Sequence, residues 1–269
     1  MKLLNGKELA GYIKERQGRE VRSLVQSLAT RPKLAIVVTV DNPTINIYMR
    51  KKQLYGDELG IDVDVHQVTQ EETPALLQQL NSDATVHGII VQLPLANPEQ
   101  TEEIVNLVAP EKDVDALGKD ALFDPATPMA ILWLLSGYNV ELKGKQVLLV
   151  GRGTLVGRPL ERILKNSNVD VRSVDRTTTD LQAETLQADI IITATGSPGL
   201  LLPDMIKKGA VVVDAGVASE QGKSVGDVAK EVYERDDLTI TPVIGGVGPL
   251  TVSALFENVI RAARRSTET

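Results

Sequence analysis

The chain has 269 residues, of which 42% are hydrophobic and 24% are charged, the balance of a soluble globular protein. Its net charge of −7 is spread along the sequence without a basic block, which argues against a nucleic-acid partner. The absence of cysteine excludes disulfides and thiolate catalysis, and the absence of a signal peptide or a run of ~18 apolar residues predicts a cytoplasmic protein without a membrane partner.

Short apolar segments alternate with helix-compatible segments along the chain, a pattern typical of α/β proteins with parallel sheets. In chain order, the predicted strands span residues 34–40, 61–65, 88–93, 146–150, 169–174, 190–193 and 211–214. Helical segments are predicted at residues 47–59, 99–108, 129–135, 160–165 and 252–263. The only two histidines, His66 and His87, fall on separate predicted strands, so we predict no metal site.

These elements divide into two halves. Residues 1–120 are predicted to form an N-terminal α/β catalytic domain, completed by a C-terminal helix at residues 252–269. Residues 121–251 are predicted to form a Rossmann-type nucleotide-binding domain. We expect two lobes with a cleft between them, because small ligands commonly bind in interdomain clefts.

The catalytic half contains a tyrosine and a lysine at helical spacing. Tyr48 and Lys52 are four residues apart, so on a helix they share one face. A partly buried lysine there could donate or accept a proton. A solvated surface pair is the alternative interpretation, because this stretch is rich in basic residues.

An amide and two acids follow in the same half. Gln92 closes the apolar run that begins at Gly88, at the strand end where ligands collect in α/β folds, unless loop backbone alone satisfies its amide. Asp113 and Asp115 alternate in a loop without the spacing of a calcium site. Either acid could accept hydrogen bonds from a substrate, and a polar turn with a cap is the alternative.

A glycine-rich turn opens the nucleotide-binding half and is the strongest indication of a ligand. The sequence G-R-G-T-L-V-G-R-P at residues 151–159 follows a predicted strand and precedes a helical segment. Glycine lets the main chain approach a pyrophosphate at a helix N-terminus. The G-x-G-x-x-x-G spacing is one residue longer than the usual fingerprint, so an ordinary strand-to-helix turn is the alternative. Asp175, at the end of the next predicted strand, stands where a ribose-binding acid is expected and favours the nucleotide site.

A second glycine-rich segment lies near the C-terminus. Residues 241–251, T-P-V-I-G-G-V-G-P-L-T, combine three glycines with two prolines and so specify a particular backbone path. This segment could close over a nicotinamide or form a rigid turn, and the sequence leaves both interpretations open.

Together these segments resemble the methylenetetrahydrofolate dehydrogenase/cyclohydrolase family, collinearly over nearly the whole chain. The matching segments are 41–43 with Tyr48 and Lys52, 88–95, 112–115, 127–128, 150–159, 208–214, 226–228 and 241–251. Several independent motifs in one order are more specific than any single motif.

The resemblance implies a two-step activity in one-carbon metabolism. The substrate 5,10-methylenetetrahydrofolate would be oxidised with NADP to 5,10-methenyltetrahydrofolate, which would then be hydrolysed to 10-formyltetrahydrofolate. It also implies a homodimer formed through the nucleotide-binding domains. The alternatives are an NAD-dependent monofunctional dehydrogenase, a cofactor-binding protein without turnover, and a two-domain dehydrogenase acting on an amino acid or a shikimate-like substrate.

The resemblance also implies roles for particular residues. The family's essential lysine falls on Lys52, its partner tyrosine on Tyr48, its glutamine on Gln92 and its folate-binding aspartate on Asp115. The implied substrate-binding residues are Tyr48, Asp115, Gly246 and Pro249. The implied cofactor-binding residues are Gly151, Arg152, Gly153, Val156, Gly157, Asp175, Arg176 and Val217.

The chain departs from the family pattern where the adenosine ribose is read. The family usually has Arg-Ser where this chain has Arg152-Gly153, and His-Ser where this chain has Asp175-Arg176. Asp175 would bond a 2′-hydroxyl and repel a 2′-phosphate, which favours NAD. Arg152 and Arg176 could instead clamp a phosphate, which favours NADP. We expect NADP, with NAD as the alternative.

Overall fold

The computed structural model describes residues 1–29, 31–220 and 223–267. The strands are β1 (Lys2–Leu3), β2 (Lys33–Val38), β3 (Asp62–Gln67), β4 (Gly88–Val91), β5 (Val147–Val150), β6 (Val171–Val174), β7 (Ile190–Thr193), β8 (Val211–Asp214), β9 (Ala218–Glu220), β10 (Lys223–Val225) and β11 (Thr239–Ile240). The α-helices are α1 (Gly6–Leu28), α2 (Pro43–Leu59), α3 (Thr73–Ser82), α4 (Thr101–Val105), α5 (Ala126–Gly137), α6 (Gly157–Asn166), α7 (Leu181–Gln187) and α8 (Val247–Arg265). Within the described ranges, no helix is long and apolar enough to cross a membrane.

The seven predicted strands are found as β2–β8, with their ends shifted by a few residues. The strands that the sequence analysis missed, β1, β9, β10 and β11, have two or three residues each. Periodicity cannot detect segments this short. The last helix was predicted from residue 252 but begins at Val247. Pro249 does not prevent this earlier start, because it lies in the first turn of the helix, where proline costs no internal hydrogen bond. Residues 268 and 269 of the predicted helix lie outside the described residues.

The chain divides into two compact units, which we call the catalytic unit and the nucleotide unit. The catalytic unit contains Gly11–Ala126 and the C-terminal segment from Val252. The nucleotide unit contains Met1–Ala10 and Thr127–Thr251. The first ten residues, which the sequence analysis placed with residues 11–120, group with the nucleotide unit because β1 pairs in parallel with β11.

The catalytic unit is built on a parallel three-stranded sheet with the order β3-β2-β4. All four residues of β4 are buried, although β4 lies at one edge of this sheet, as expected for a parallel strand covered on both faces. Within this unit, α8 is tied to the loops after β4, because Asn258 Nδ2 donates hydrogen bonds to the carbonyl oxygens of Val114 and Asp124 at 2.9 Å each. Helix α8 thus helps to fix the loop at Asp113–Asp115 through the carbonyl group of Val114.

The nucleotide unit contains a six-stranded parallel sheet with the order β1-β11-β8-β7-β5-β6. Val150 at the end of β5 pairs with Val174 of β6 and with Thr193 of β7, and Thr193 pairs with Asp214 of β8. The carboxyl ends of these four strands therefore lie side by side. In parallel α/β sheets this is the edge at which ligands bind.

Candidate functional site

The polar residues of the catalytic unit converge on Lys52. Helix α2 begins at Pro43, a residue suited to the first helical turn, and carries Tyr48 and Lys52 on successive turns. Lys52 Nζ donates a hydrogen bond of 2.9 Å to Gln92 Oε1. Tyr48 is 41% exposed, and Lys51 Nζ lies 5.4 Å from the centre of its ring. The structure thus joins Lys52 to Gln92 and leaves the phenol of Tyr48 accessible.

The orientation of Gln92 follows from its position directly after β4. Its main-chain N–H continues the sheet by donating to Val37 O at 2.9 Å. Its side-chain Nε2 donates to Leu93 O at 2.9 Å, which directs Oε1 to Lys52. Both interpretations of Gln92 therefore hold in part, because loop backbone binds one end of the amide and Lys52 binds the other.

Lys52 and Asp115 influence each other's protonation. Burial lowers the pKa of Lys52, and the negative charge of Asp115 opposes that effect. Burial also raises the pKa of Asp115, and the positive charge of Lys52 opposes that change. The result is a poorly solvated pair of opposite charges in which a proton on Lys52 is easier to remove than in water.

Asp113 has a different role from Asp115. It is only 3% exposed, and its Oδ2 accepts a hydrogen bond from Gly118 N at 2.7 Å. Its carbonyl oxygen accepts from Ala116 N at 3.2 Å, and Ala116 has a φ of +55°. Asp113 thus stabilises the turn that carries Asp115, as the polar-turn interpretation proposed. Burial raises the pKa of Asp113 to about 6.

The raised pKa of Asp113 predicts a pH-dependent stability. An unfolded aspartate titrates near pH ~4, so between about pH 4 and 6 the folded chain retains a proton that the unfolded chain has lost. The contribution of Asp113 to the free energy of unfolding therefore falls as the pH rises through this window. Relative to the unaltered chain, Asp113→Asn should become more stable by up to about 3 kcal/mol from pH ~4 to pH ~6.5.

Urea unfolding of both chains across this pH range measures the effect. The matched control is Asp120→Asn, which changes an exposed acid a few residues away. A stability difference between Asp113→Asn and the unaltered chain that does not change with pH would contradict the raised pKa.

The glycine turn of the nucleotide unit fits a nucleotide pyrophosphate. Gly151 has a φ of +112°, and a Cβ there would lie 2.5 Å from Ala194 O. A Cβ at Gly157, where α6 begins, would lie 2.1 Å from Gly151 O. Gly153, in contrast, has no other atom within 4 Å of an added Cβ. The turn therefore packs tightly at both ends and is open in the middle, beside a helix N-terminus, as phosphate binding requires.

The charged residues predicted to read the ribose lie around Asp175, which follows β6. Asp175 Oδ1 accepts hydrogen bonds from Thr177 Oγ1 at 2.7 Å and Thr177 N at 2.9 Å. These bonds lower the pKa of Asp175, and the positive charges of Arg152 and Arg176 contribute to the shift. Arg152 Nε also lies 3.9 Å from Glu161 Oε2. The structure thus places two arginines near Asp175, and one of them, Arg152, also lies near Glu161.

The other predicted binding residues are distributed over the nucleotide unit. Val156 precedes α6, Val217 follows β8 and is 61% exposed, and Pro249 lies in the first turn of α8. The carbonyl oxygen of Gly246 packs against Gly6, where an added Cβ would lie only 1.8 Å from it. The segment 241–251 is therefore held in place within this unit, which favours the rigid-turn interpretation.

Two acids at the same sheet edge, the buried Asp227 and the half-buried Asp214, were not predicted as functional residues. Asp227 is fully buried and accepts hydrogen bonds from Thr195 N at 2.7 Å and Ser197 N at 2.8 Å. Asp214 ends β8 and binds the turn that carries Asp227. Both acids lie in segments that match the family, 208–214 and 226–228, but neither segment indicated a role for its acid.

No group of three or more His, Cys, Asp or Glu residues that could hold a metal ion occurs within the described part of the chain. The charged groups of the catalytic unit, Lys52 and Asp115, are suited instead to proton transfer and to binding a substrate with N–H donors.

Comparisons with known proteins match both units. The catalytic-domain model of the tetrahydrofolate dehydrogenase/cyclohydrolase family matches residues 4–115, and its NAD(P)-binding-domain model matches residues 125–267. The bifunctional protein FolD of Exiguobacterium sibiricum is 38% identical over 275 residues, which cover 97% of this chain and 99% of that protein.

Solved structures agree with these matches. The bifunctional FolD dehydrogenase/cyclohydrolase of Campylobacter jejuni is 37% identical with a TM-score of 0.92, covering 98% of this chain and 99% of that one. The methylenetetrahydrofolate dehydrogenase-cyclohydrolase of Trypanosoma brucei, solved with NADP and an inhibitor, is 31% identical with a TM-score of 0.92. That comparison covers 99% of this chain and 98% of the other.

Proposed function

The chain belongs to the tetrahydrofolate dehydrogenase/cyclohydrolase family, and on this premise we propose that Lys52, Gln92, Asp115 and Tyr48 carry its chemistry. The protein is a bifunctional dehydrogenase and cyclohydrolase of one-carbon folate metabolism with an NAD(P)-binding domain. The single observation that supports the assignment is the 2.9 Å hydrogen bond from Lys52 Nζ to Gln92 Oε1, made where Asp115 acts on the charge of Lys52.

The first step is the oxidation of 5,10-methylenetetrahydrofolate. The bound nicotinamide supplies the hydride acceptor. The methylene carbon loses a hydride and becomes the 5,10-methenyl cation, so no proton has to move in this step. The task of the folate-side residues is therefore to orient the substrate. The carboxylate of Asp115 would accept hydrogen bonds from the amino and ring N–H groups of the pterin, and Tyr48 would pack along its ring system.

The second step is the hydrolysis of the methenyl cation. Water adds to an already electrophilic carbon and loses one proton. The ring opens when the resulting hydroxyl loses its proton to form the formyl C=O, the bond from that carbon to one ring nitrogen breaks, and this nitrogen accepts a proton. The products are 10-formyltetrahydrofolate and one released proton. Lys52 would move these protons, because its lowered pKa makes its neutral form accessible nearer to neutral pH. Gln92 would hold the Lys52 ammonium in place, since its own amide is oriented by Leu93 O.

A direct assay tests this function. The unaltered chain is mixed with 5,10-methylenetetrahydrofolate and NADP or NAD, the absorbance of the reduced nicotinamide is followed, and acid-quenched samples are analysed for the methenyl product. Reduction without accumulation of the methenyl product supports both steps. Reduction with stoichiometric accumulation would indicate the monofunctional dehydrogenase, and no reduction with either nicotinamide would refute the proposed function.

We propose that NADP is the preferred nicotinamide. Arg152 and Arg176 both act on the charge at Asp175, and their guanidinium groups are suited to binding a 2′-phosphate. The NADP found in the Trypanosoma brucei relative also supports this choice. The opposing feature is Asp175 itself, which would favour the 2′-hydroxyl of NAD.

Replacing Arg152 with alanine is expected to lower kcat/KM for NADP by about 10- to 100-fold, because a charge-assisted hydrogen bond to phosphate is worth about 1.5–3 kcal/mol. The value for NAD should change by less than about 3-fold, since NAD carries no 2′-phosphate. Steady-state kinetics with both nicotinamides measures the ratio. The control is Arg172→Ala, which removes an exposed arginine paired with Glu184. Equal losses with NADP and NAD would mean that Arg152 does not read the 2′-phosphate.

Two further predictions concern the assembly and its location. We propose a homodimer, as the family resemblance implies, and light scattering would then give a molar mass of twice the 29.1 kDa of one chain. A mass of 29.1 kDa at working concentrations would contradict it. The cytoplasmic location expected from the sequence stays a prediction.

A further inference from the structure

We propose that Asp227 and Asp214 are positioning residues of the nicotinamide-nucleotide site, because together they fix the loop after β7 against the glycine turn after β5. The inference rests on the proposed function, since it concerns how this enzyme binds its nicotinamide nucleotide. Neither acid is required to touch the nucleotide or the folate. Their effect is exerted through the main chain at the ligand-binding edge of the sheet.

Asp227 binds the main chain of the loop after β7. Its Oδ2 accepts a hydrogen bond from Thr195 N at 2.7 Å, and its Oδ1 accepts from Ser197 N at 2.8 Å. Both oxygens therefore bind main-chain N–H groups two residues apart. Gly196 between them has a φ of +69°, so the loop adopts a sharp turn that the carboxylate stabilises.

Asp214 in turn binds the turn that carries Asp227. Asp214 Oδ1 accepts from Asp227 N and from Gly216 N at 3.0 Å each, and its Oδ2 accepts from Val228 N at 3.0 Å. The hydroxyl of Thr193 lies 3.2 Å from the same Oδ1. Asp214 thus ties the end of β7, the loop after β8 and the turn of Asp227 to one carboxylate.

The fit between the two acids leaves no room for side chains nearby. A Cβ at Gly216 would lie 2.1 Å from Asp227 Cγ, and a Cβ at Gly226 would lie 2.0 Å from Asp214 Oδ2. Removing carboxylates from water is costly, and partial burial raises the pKa of Asp214. The main-chain N–H groups that donate to each carboxylate offset that cost. Because the donors are main-chain groups, these hydrogen bonds fix the path of the backbone.

The loop bound by Asp227 packs against the glycine turn after β5. The loop held by Asp227 begins at Ala194, whose carbonyl oxygen would lie 2.5 Å from a Cβ at Gly151. Ala194 N also donates to Val150 O at 2.8 Å, directly before the glycine turn. A displacement of this loop would therefore disturb the turn that fits the pyrophosphate. The folate-side residues Lys52, Gln92 and Asp115 belong to the other unit and make none of these contacts.

The test separates the two activities of the enzyme. In Asp227→Asn one carboxylate oxygen becomes an NH₂ group, which faces a main-chain donor instead of accepting from it. We expect KM for NADP in the dehydrogenase reaction to rise by about 10-fold or more. Hydrolysis of 5,10-methenyltetrahydrofolate, assayed without nicotinamide, should stay within about 2-fold, because that step consumes no nucleotide.

A second variant keeps the test decisive if Asp227→Asn does not fold. Thr193→Val removes only the hydroxyl bound to Asp214 and preserves the side-chain shape, so a smaller rise in KM for NADP, about 3-fold, is expected. The matched control is Asp189→Asn, because Asp189 also accepts a main-chain hydrogen bond, from Gln146 N, but precedes β7 at the opposite sheet edge.

Three results would overturn the inference. In folded Asp227→Asn or Thr193→Val, an unchanged KM for NADP would mean that the loop does not depend on these acids. Equal losses in both activities would mean that they only stabilise the protein. If the unaltered chain failed to reduce nicotinamide with 5,10-methylenetetrahydrofolate, the proposed function itself would fail, which is distinguishable because the defect would precede any substitution.

Discussion

Replacing Lys52 with methionine is expected to lower cyclohydrolase turnover by at least about 100-fold, the scale of a lost general acid–base group. Methionine keeps the length and the apolar stem of lysine but cannot transfer a proton or bind Gln92 Oε1. The dehydrogenase step should be less affected, because oxidation of the methylene carbon moves a hydride and no proton. The methenyl product should therefore accumulate, which acid-quenched samples would reveal.

The control for Lys52→Met is Arg50→Met, which removes an exposed cation from the same helix. Its cyclohydrolase turnover should match that of the unaltered chain. Full cyclohydrolase activity in Lys52→Met would show that another group moves the protons, and the role given to Lys52 would then be wrong. Equal losses in both steps would instead indicate that Lys52 serves mainly to bind the folate.

The second large effect is expected at Asp115, whose replacement by alanine should impair both activities together. A carboxylate that accepts hydrogen bonds from the pterin contributes about 1.5–3 kcal/mol for each bond, so kcat/KM for the folate should fall by about 100-fold in both steps. Most of the loss should appear in KM, since the bonds orient the substrate before and during each reaction. Steady-state kinetics with each folate at saturating NADP measures this split.

The structure offers a close control for the substitution at Asp115. Asp120→Ala removes an exposed carboxylate a few residues further along the same loop and should leave both activities unchanged. A normal KM for both folates in Asp115→Ala would contradict the binding role. A loss confined to the cyclohydrolase would show that Asp115 acts through Lys52 instead, because the two charges influence each other.

The fold shows which parts of a chain can be predicted from local patterns. Strands such as β4, whose four residues are all buried, were predictable because buried parallel strands are continuous apolar runs, and β3 was predictable from its alternation of apolar and polar residues. Strand β1 was not, because its two residues are exposed and become a strand only by pairing with β11, more than two hundred residues away. Because of that long-range pairing, the first ten residues belong to the nucleotide unit.

The candidate site shows the same division. Tyr48 and Lys52 could be placed on one helix face from their spacing, and the glycine turn could be read from the backbone demands of Gly151 and Gly157. The different roles of Asp113 and Asp115 could not be predicted, because both acids occur in the same short loop. Only the structure shows Asp113 binding Gly118 N and Asp115 acting on the charge of Lys52.

By itself, the sequence determined the α/β class, the position of the nucleotide turn and the family resemblance, because each depends on residue types at short, fixed spacings. The tertiary structure alone decided that Asp113 supports a turn and that Asp214 and Asp227 fix the loop after β7. Some of these hydrogen bonds join residues that are distant in sequence, such as Asp227 and Thr195, and others depend on the direction of a side chain within one loop, such as that of Asp113. Their partners are chosen by how strands and loops pack together, and no local spacing encodes that choice.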